Sequence, residues 1–324
     1  MRKHLRLLLV AGFAGLLVFT AMLTAGIDKP GTIKEIAKGV WFREGEIMDK
    51  GHCNNIIIEM KDYLIVVDAN FPSGARAAMH DAQKVSKKPV KYVFDTHHHG
   101  DHAYGNAVWT KAGAITLAHV GVTNEMKRLE PTRWRQAAKE RKDVAELGQN
   151  GPEPPKETFS GDLKVIEDAT RKVEFHYFGW AHTRGDGFVY LPKEKIICTG
   201  DAVVNGPFNY TADGNVLNWP NVVDKALKLD VQYVLPGHGA SGGKEILTGE
   251  KAFMVELRKA VEAAIKNGKK LDDLVQKSGN KATANVKLPD NVKNWVGQYL
   301  PDQVTDVYGE LTKKKPAGEF NAPK

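Results

Sequence analysis

Short apolar runs rich in β-branched residues alternate along the chain with longer stretches of helical spacing. This alternation predicts an α/β fold, because strands bury short apolar runs while amphipathic helices bury one face. The predicted strands cover residues 33–42, 55–60, 63–68, 91–95, 114–118, 163–167, 173–178, 187–191, 196–199 and 232–235. The predicted helices cover residues 72–85, 103–111, 120–147 and 244–267.

The N-terminal segment differs from this pattern. Arg2, Lys3 and Arg6 precede an uncharged run over residues 7–26 that ends in small residues. A basic start, an apolar stretch and a small-residue end are typical of a secretory signal peptide. Residues 1–26 are therefore predicted to direct export, to the periplasm or outside the cell. The alternative is an uncleaved anchor, since about 20 apolar residues can span a bilayer, and membrane contact is expected only through this segment.

At 324 residues the chain is long enough for one large α/β domain and an appendage. Residues 31–270 are predicted to form the catalytic domain, and residues 271–324 a C-terminal helical extension with helices near 291–300 and 302–311. Pro301 is expected to separate the two helices. The sequence does not determine the oligomeric state.

Charge and cysteine content narrow the function classes. The formal net charge is +7, and +4 remains when the three basic residues of the N-terminal segment are subtracted. This charge is spread along the chain, so no nucleic-acid partner is expected. Cys53 and Cys198 could form a disulfide after export, but the apolar run around Cys198 favours two small buried residues.

The chemistry concentrates in residues 96–102, THHHGDH, directly after a predicted strand. On a tight loop alternate side chains project the same way, so His97 and His99 can share one metal ion while Asp101 and His102 face a second. His98 should then point in the opposite direction. Imidazole and carboxylate ligands suit zinc or a similar first-row metal. The alternative, a histidine-rich surface loop, is disfavoured by the spacing and by the preceding strand.

Three further segments with candidate ligands follow predicted strands: GWAHTRGD (179–186), TGD (199–201) and PGHG (236–239). Each combines a glycine-containing loop with a histidine or an aspartate. Loops at strand ends commonly carry functional residues. We therefore expect these segments to meet the histidine cluster at one edge of the sheets.

These segments, together with VVDAN (66–70), resemble the metallo-β-lactamase superfamily in their order and rough spacing over about residues 33–267. The resemblance implies a four-layer αβ/βα sandwich with a dinuclear metal centre, the fold class that we predict. The metal ligands that it implies are His97, His99 and His182 for the first ion, Asp101, His102 and His238 for the second, and Asp201 as a bridge. Asp68 is implied to support the histidine loop, a role worth about 10- to 100-fold in metal affinity or activity.

The predicted function is that of a zinc-dependent hydrolase with two zinc ions, iron or a mixed pair being the alternative. A hydroxide held between the ions is expected to attack the carbonyl of a small ester, thioester, lactone or lactam. Asp101 is the predicted catalytic residue, because its carboxylate can orient the hydroxide and pass a proton to the leaving group.

Departures from individual branches refine the resemblance. The best-known lactamase branch has arginine at the position of His102, cysteine at that of Asp201 and lysine at that of Val204. Asp201 makes the metal set similar to those of glyoxalase II and lactonases. A β-lactamase proper, a mononuclear iron dioxygenase acting on persulfides and a catalytically inactive binding protein are the alternatives.

Two regions have functional and structural interpretations that the sequence does not separate. Asn205, Asn209, Tyr210 and Trp219 lie in a Gly/Asn-rich stretch and are either substrate contacts or parts of a surface loop. The charged segment 120–160 is by default a solvated helix and loop, and the alternative is a lid over the site.

Overall fold

The computed structural model describes residues 29–279 and 281–313. The predicted signal segment, residues 1–26, lies outside these ranges. Within them, no helix combines the length and the apolar character needed to cross a membrane.

The first sheet contains seven strands whose order in the sheet follows the chain. The strands are β1 (Ile33–Ala37), β2 (Val40–Arg43), β3 (Asn55–Glu59), β4 (Leu64–Val67), β5 (Val90–Asp95), β6 (Ile115–His119) and β7 (Glu157–Phe159). The pairs from β1 to β4 are antiparallel, and those from β4 to β7 are parallel. The carboxyl ends of β4, β5 and β6 therefore lie at one edge of the sheet.

The second sheet contains five strands in the order β12, β11, β10, β9, β8. The strands are β8 (Leu163–Glu167), β9 (Lys172–Tyr177), β10 (Gly187–Leu191), β11 (Ile196–Gly200) and β12 (Tyr233–Pro236). Only β11 and β12 among these pair in parallel, so their carboxyl ends are adjacent. A separate hairpin pairs β13 (Val275–Ser278) with β14 (Lys281–Ala284).

Helices cover the outer faces of both sheets and form the C-terminal extension. They are α1 (Ile47–Lys50), α2 (Pro72–Val85), α3 (Gly100–Ala103), α4 (Asn106–Lys111), α5 (Val120–Glu140), α6 (Lys142–Ala145), α7 (Trp219–Leu227), α8 (Glu245–Lys266), α9 (Leu271–Leu274), a 3-10 helix (Asp290–Trp295) and α10 (Leu300–Leu311).

Three apolar clusters define four layers. Ala75 and Ala78 of α2 pack on the outer face of the first sheet, against residues such as Val66. The inner faces of the two sheets meet in a second cluster, where Phe94 lies against Phe175. A third cluster joins the outer face of the second sheet to α7, α8 and α10. The predicted four-layer αβ/βα sandwich is confirmed.

Several local predictions were less accurate. The predicted strand 33–42 is two strands, because Gly39 adopts a φ of 73° in the turn between β1 and β2. The predicted helix 103–111 begins earlier, as α3 and then α4. In the C-terminal extension the hairpin was not predicted, and the predicted helix 291–300 is a 3-10 helix over Asp290–Trp295. Pro301 lies in the first turn of α10, where its missing N–H costs no helical hydrogen bond.

Both cysteines are buried and free, as the apolar surroundings of Cys198 indicated. Burial raises the pKa of the Cys53 thiol to about 12, so this thiol is protonated at neutral pH and a poor nucleophile.

Candidate metal centre

The candidate ligands converge because strands of both sheets end at the same edge of the sandwich. Strand β5 leads into the histidine loop, which continues into α3. Three later segments arrive from the second sheet: His182 lies between β9 and β10, Asp201 follows β11, and His238 follows β12. All seven predicted metal ligands are brought to this edge.

His97, His99 and His182 form the first set. Nδ1 of His99 lies 3.2 Å from Nε2 of His97 and 3.0 Å from Nε2 of His182. Burial lowers the pKa of all three side chains, that of His182 to about 3. The three imidazoles are therefore neutral at neutral pH, the form in which histidine binds metal.

The hydrogen bonds behind this set show that it fits a metal ion. His182 donates from Nδ1 to the carbonyl oxygen of Tyr210 at 2.8 Å, and His99 donates from Nε2 to Asp213 at 2.8 Å. In a neutral ring the donating nitrogen carries the proton and the other nitrogen carries a lone pair. Nδ1 of His99 and Nε2 of His182, which face each other at 3.0 Å, therefore both carry lone pairs. Two lone pairs this close repel unless a cation lies between them. Three converging histidine nitrogens suit zinc.

Asp101, His102 and His238 form the second set. Asp101 Oδ2 lies 3.0 Å from His238 Nε2 and 3.3 Å from His102 Nε2, and the two histidine nitrogens are 3.4 Å apart. Burial opposes a positive charge on His238, but Asp201 and Asp101 outweigh it and raise its pKa to about 9. The carboxylates around the second set thus stabilise positive charge there, which is carried by protons on its histidines until a metal ion replaces them.

Asp201 lies between the two sets. Its Oδ2 is 3.4 Å from His238 Nε2, 3.9 Å from His182 Nε2 and 4.0 Å from His97 Nε2. Its Oδ1 is buried and makes no hydrogen bond within the described part of the chain, although it lies 3.4 Å from His102 Nε2. A buried carboxylate oxygen without a donor needs a cation to compensate its desolvation.

Two glycines allow the later ligands to approach. A Cβ atom on Gly237 would lie 2.1 Å from Asp201 Oδ1, and one on Gly200 would lie 2.4 Å from Thr96 Oγ1. Gly200 also has a φ of 50°, in the left-handed region. The glycines of TGD and PGHG are therefore needed for close packing around the ligands.

Asp68 supports the second set. One carboxylate oxygen accepts from His102 Nδ1 at 2.9 Å and the other accepts from the backbone N–H of Thr96 at 2.8 Å. Asp68 itself has a φ of 68°, which is uncommon for a residue other than glycine and indicates local strain at the end of β4. The carboxylate joins the start of the histidine loop to one of its metal-facing rings.

Sequence reasoning missed an equivalent support for the first set. Asp213 is fully buried, accepts from His99, and forms a two-pronged ion pair with Arg133 of α5 at 2.6 and 2.8 Å. Burial would raise the pKa of Asp213, but hydrogen bonds from His98, His99 and Arg133 lower it well below its ordinary value. Asp213 lies in the Gly/Asn-rich stretch and Arg133 on a helix that was expected to be solvated, so no local signal marked them.

His98 points away from the converging nitrogens. Its Nε2 lies 3.5 Å from Asp213 Oδ2 and 3.6 Å from Glu130 Oε1, and the side chain is fully buried. His98 therefore does not face solvent, and it lies with Asp213 and Glu130 in a buried polar cluster beside the first set.

A cleft of about 540 Å³ opens above the two sets. Asp101, Asp201 and His238 lie at its base, and α5 forms one wall through Glu130, Arg133, Gln136, Ala137 and Glu140. The cleft also has five aromatic rings in its walls, those of Phe71, Tyr104, Phe208, Tyr210 and Tyr299. Helix α5 packs against the domain through Leu129 and Trp134, which are buried, and its polar side chains form part of the wall of the site.

Only Tyr210 of the four residues considered as substrate contacts lines this cleft. Trp219 is fully buried and donates from Nε1 to the carbonyl oxygen of Ala202. Asn205 donates to the carbonyl oxygen of Ala240, and Asn209 is buried beside Glu250. None of these three residues lines the cleft, and the surface-loop interpretation is also wrong for Trp219 and Asn209, because both are buried.

Comparison with known protein families decides the assignment. Residues 48–238 match the family described as the metallo-beta-lactamase superfamily. The chain belongs to this superfamily. The matched segment contains all seven predicted ligands, and the chain is accordingly a metal-dependent hydrolase of the superfamily with histidine clusters able to bind metal.

Two characterised relatives have different activities in their names. A metallo-beta-lactamase type 2 from Bacillus cereus is 26% identical over 232 residues, which cover 67% of this chain and 79% of the relative. The 2,4-dinitroanisole O-demethylase subunit alpha of Nocardioides sp. (strain JS1661) is 27% identical over 191 residues, which cover 58% of this chain and 53% of that protein.

Solved structures agree on the fold. The metallo-beta-lactamase FIM-1 from Pseudomonas aeruginosa, in its mono-zinc form, is similar with a TM-score of 0.55 and 23% identity over 70% of this chain and 95% of that chain. At this identity the similarity establishes the fold and not the substrate.

Proposed function

We propose that this metallo-beta-lactamase superfamily member is an exported hydrolase that uses two zinc ions to cleave a small carbonyl compound, namely an ester, thioester, lactone or lactam. The observation that carries the proposal is the place of Asp201, whose carboxylate lies within 4.0 Å of nitrogens from both sets. A carboxylate in this place can serve two ions at once, whereas a mononuclear site would need only one set.

His97, His99 and His182 would hold one zinc ion, and Asp101, His102 and His238 the other, with Asp201 shared. When bound, zinc lowers the pKa of water from 15.7 to about 7 and polarises carbonyl oxygens. The arrangement of these side chains supports hydrolysis because it collects histidine nitrogens and carboxylates in an open cleft.

Asp101 is the side chain best placed to act on the attacking water molecule. Its side chain is 23% exposed at the base of the cleft, and its Oδ2 lies 3.0 Å from His238 Nε2. Burial would raise the pKa of Asp101, but His102 and His238 lower it well below the usual range. The carboxylate therefore stays ionised and can orient a water molecule by accepting its hydrogen bond, whereas so low a pKa makes it a weak acceptor for the proton that the leaving group requires.

The walls of the cleft favour a neutral substrate with an aromatic or apolar group. Five aromatic rings line the cleft, and Phe208 and Tyr210 lie within 6 Å of ligand histidines, ring centroid to ring centroid. The two arginines among the lining residues are already paired, Arg133 with Asp213 and Arg141 with Asp143. Flat rings bury large apolar areas at little entropic cost, so they suit an aromatic acyl or lactone group.

A β-lactamase activity is the second candidate, because relatives such as the Bacillus cereus protein are named for it. Against it stands Val204, which is fully buried where that branch carries a lysine. A lactam that bears a carboxylate would therefore lack this cation. We expect hydrolysis of lactams to be weaker than that of neutral aromatic esters and lactones.

Purified protein tested with a panel of one penicillin, one aromatic ester, one thioester, one lactone and one persulfide would decide between these substrates. Zinc content and oxygen uptake are measured on the same samples. We expect about two zinc ions per chain and turnover of the ester or lactone without oxygen uptake. One iron per chain with oxygen consumption on a persulfide would instead establish the dioxygenase alternative.

Export remains a proposal based on residues 1–26. Expression of the full chain in a Gram-negative host, followed by mass measurement of the periplasmic product, tests it. We expect a mature chain that starts near residue 27. A full-length chain in the membrane fraction would support the uncleaved anchor.

A further inference from the structure

The C-terminal helix α10 lies beyond the segment that matches the superfamily, yet it contacts a loop of the metal centre. This loop, residues 209–217, is called here the support loop. Two groups of the loop bond predicted metal ligands: the carbonyl oxygen of Tyr210 accepts from His182, and the carboxylate of Asp213 accepts from His99. Two of the three rings of the first set are thus oriented by this one loop.

Four hydrogen bonds join α10 to the support loop on both sides of those groups. Gln303 Nε2 donates to the carbonyl oxygen of Asn209 at 2.6 Å, and Thr211 Oγ1 donates to Asp306 Oδ2 at 2.6 Å. At the other end, the backbone N–H groups of Val216 and Leu217 each donate to the Glu310 carboxylate at 3.1 Å. Tyr210 and Asp213 therefore lie between the anchored ends of the loop.

The helix is a rigid base for these contacts. Val304 and Val307 are fully buried in the cluster that joins α10 to α8 and the second sheet. Gln303 and Asp306 are 1% and 4% exposed, so their bonds to the loop are shielded from water. Positions 303, 306 and 310 lie on one face of the helix, which is the spacing needed to follow an adjacent segment.

We propose that α10 is a positioning element of the first metal set: it holds the support loop so that Tyr210 and Asp213 orient His182 and His99 toward the ion. The proposal rests on the metal centre of the proposed function but not on the substrate. Gln303, Asp306 and Glu310 act through the loop, because the four bonds end on loop atoms and not on a predicted metal ligand. The extension is thus part of the support of the active centre.

The test compares zinc affinities. The double variant Gln303→Met/Glu310→Ala removes three of the four bonds from the helix side. Thr305→Val is the matched control, because the Thr305 hydroxyl donates to the carbonyl oxygen of Pro301 within α10 and not to the loop. Zinc is titrated against a chromophoric chelator, and the step that belongs to the first set is the one missing in His182→Ala.

We expect the first-set step of the double variant to weaken about tenfold, the lower end of the effect of removing outer partners of metal ligands. The second-set step and the control should keep the affinities of the unchanged chain. An unaltered first-set step in a folded double variant would overturn the proposal, as would a lower melting temperature with both steps unaltered, which indicates packing alone.

A second pair of variants keeps the test informative if the double variant does not fold. Thr211→Val removes the hydroxyl that bonds Asp306, and Thr211→Ser retains a hydroxyl there. A loss of first-set affinity in Thr211→Val that Thr211→Ser restores supports the proposal, and equal affinities contradict it. An unchanged chain that binds no zinc would instead refute the proposed function itself.

Discussion

The two halves of the metal centre attract a cation in different ways. The first set offers three neutral nitrogens, which burial keeps unprotonated. The second set contains carboxylates, and these raise the pKa of His238 to about 9. A metal at the first set relieves the repulsion of lone pairs, whereas a metal at the second set must replace the protons that the carboxylates hold on His102 and His238.

The supports of the two sets also have different origins. Asp68, at the end of β4, joins His102 to the histidine loop within the first sheet. Asp213 belongs to the support loop and joins His99 to α5 and, through the loop, to α10. The support of His102 thus lies within one sheet, while the support of His99 depends on segments distant in sequence. Substitutions can separate these two kinds of dependence.

Removal of all metal should have the largest effect. Dialysis against a strong chelator is expected to abolish hydrolysis, because the remaining side chains provide no strong nucleophile. A ligand at 100 times its dissociation constant stabilises the folded state by about 2.7 kcal/mol, so the melting temperature should fall by roughly 5 to 10 °C. Activity assays and thermal melts before and after zinc is restored measure both effects. Full activity in the metal-free chain would exclude the metal mechanism.

The variants His182→Ala and His238→Ala test the two sets singly. Each should reduce kcat/KM by more than about a hundredfold, since losing an outer partner of a ligand already costs about 10- to 100-fold. Each should also lower the zinc content from two ions to one. His80→Ala is the control, because its side chain is 71% exposed on α2. If one variant lost both ions, the sets would not be independent and the comparison would fail.

Isosteric changes in the supports give the next effect. Asp213→Asn should weaken zinc binding at the first set by about 10- to 100-fold, and Asp68→Asn should do the same at the second set. Each change keeps the volume of the side chain but removes the charge that accepts from a ligand histidine. Chelator competition measures both steps. Equal loss at both sets in either variant would contradict the separate supports.

The sequence could predict those residues of the metal centre that directly follow a strand. Asp68, His97 and Asp201 each follow an apolar strand, and parallel pairing puts the ends of neighbouring strands together. Glycines such as Gly237 are recognisable because they stand beside a candidate ligand. These signals are local, so they could be recognised in the chain before the structure was known.

The missed part depends on contacts between distant segments. Asp213 is 80 residues from Arg133, and neither residue stands in a pattern that distinguishes it from a solvated polar residue. Trp219 was considered either a substrate contact or part of a surface loop because it lies in a Gly/Asn-rich stretch, but it begins α7 and packs in the core. Whether such residues become buried depends on which helices, strands and loops pack together. Hydrophobic periodicity does not predict this packing for short irregular segments.

Arg133→Gln should give the smallest effect and distinguishes two roles of α5. Arg133 is 26% exposed, and its partner Asp213 keeps the hydrogen bond from His99 when the guanidinium is lost. The arginine acts on the ion only through Asp213, so we expect a loss of about 1 kcal/mol, the lower end of coupling energies between sites, which corresponds to about a fivefold loss of first-set zinc affinity.

Arg135→Gln is the control, since Arg135 is exposed on the same helix and its guanidinium donates to Thr132 Oγ1. Chelator competition should show the loss at the first set alone and no change in the control. If zinc affinity were unaltered while KM rose, Arg133 would contribute to substrate binding in the cleft and not to metal binding. A loss as large as that of Asp213→Asn would mean that Asp213 is positioned mainly by the arginine, so that the support of the first set would begin on α5.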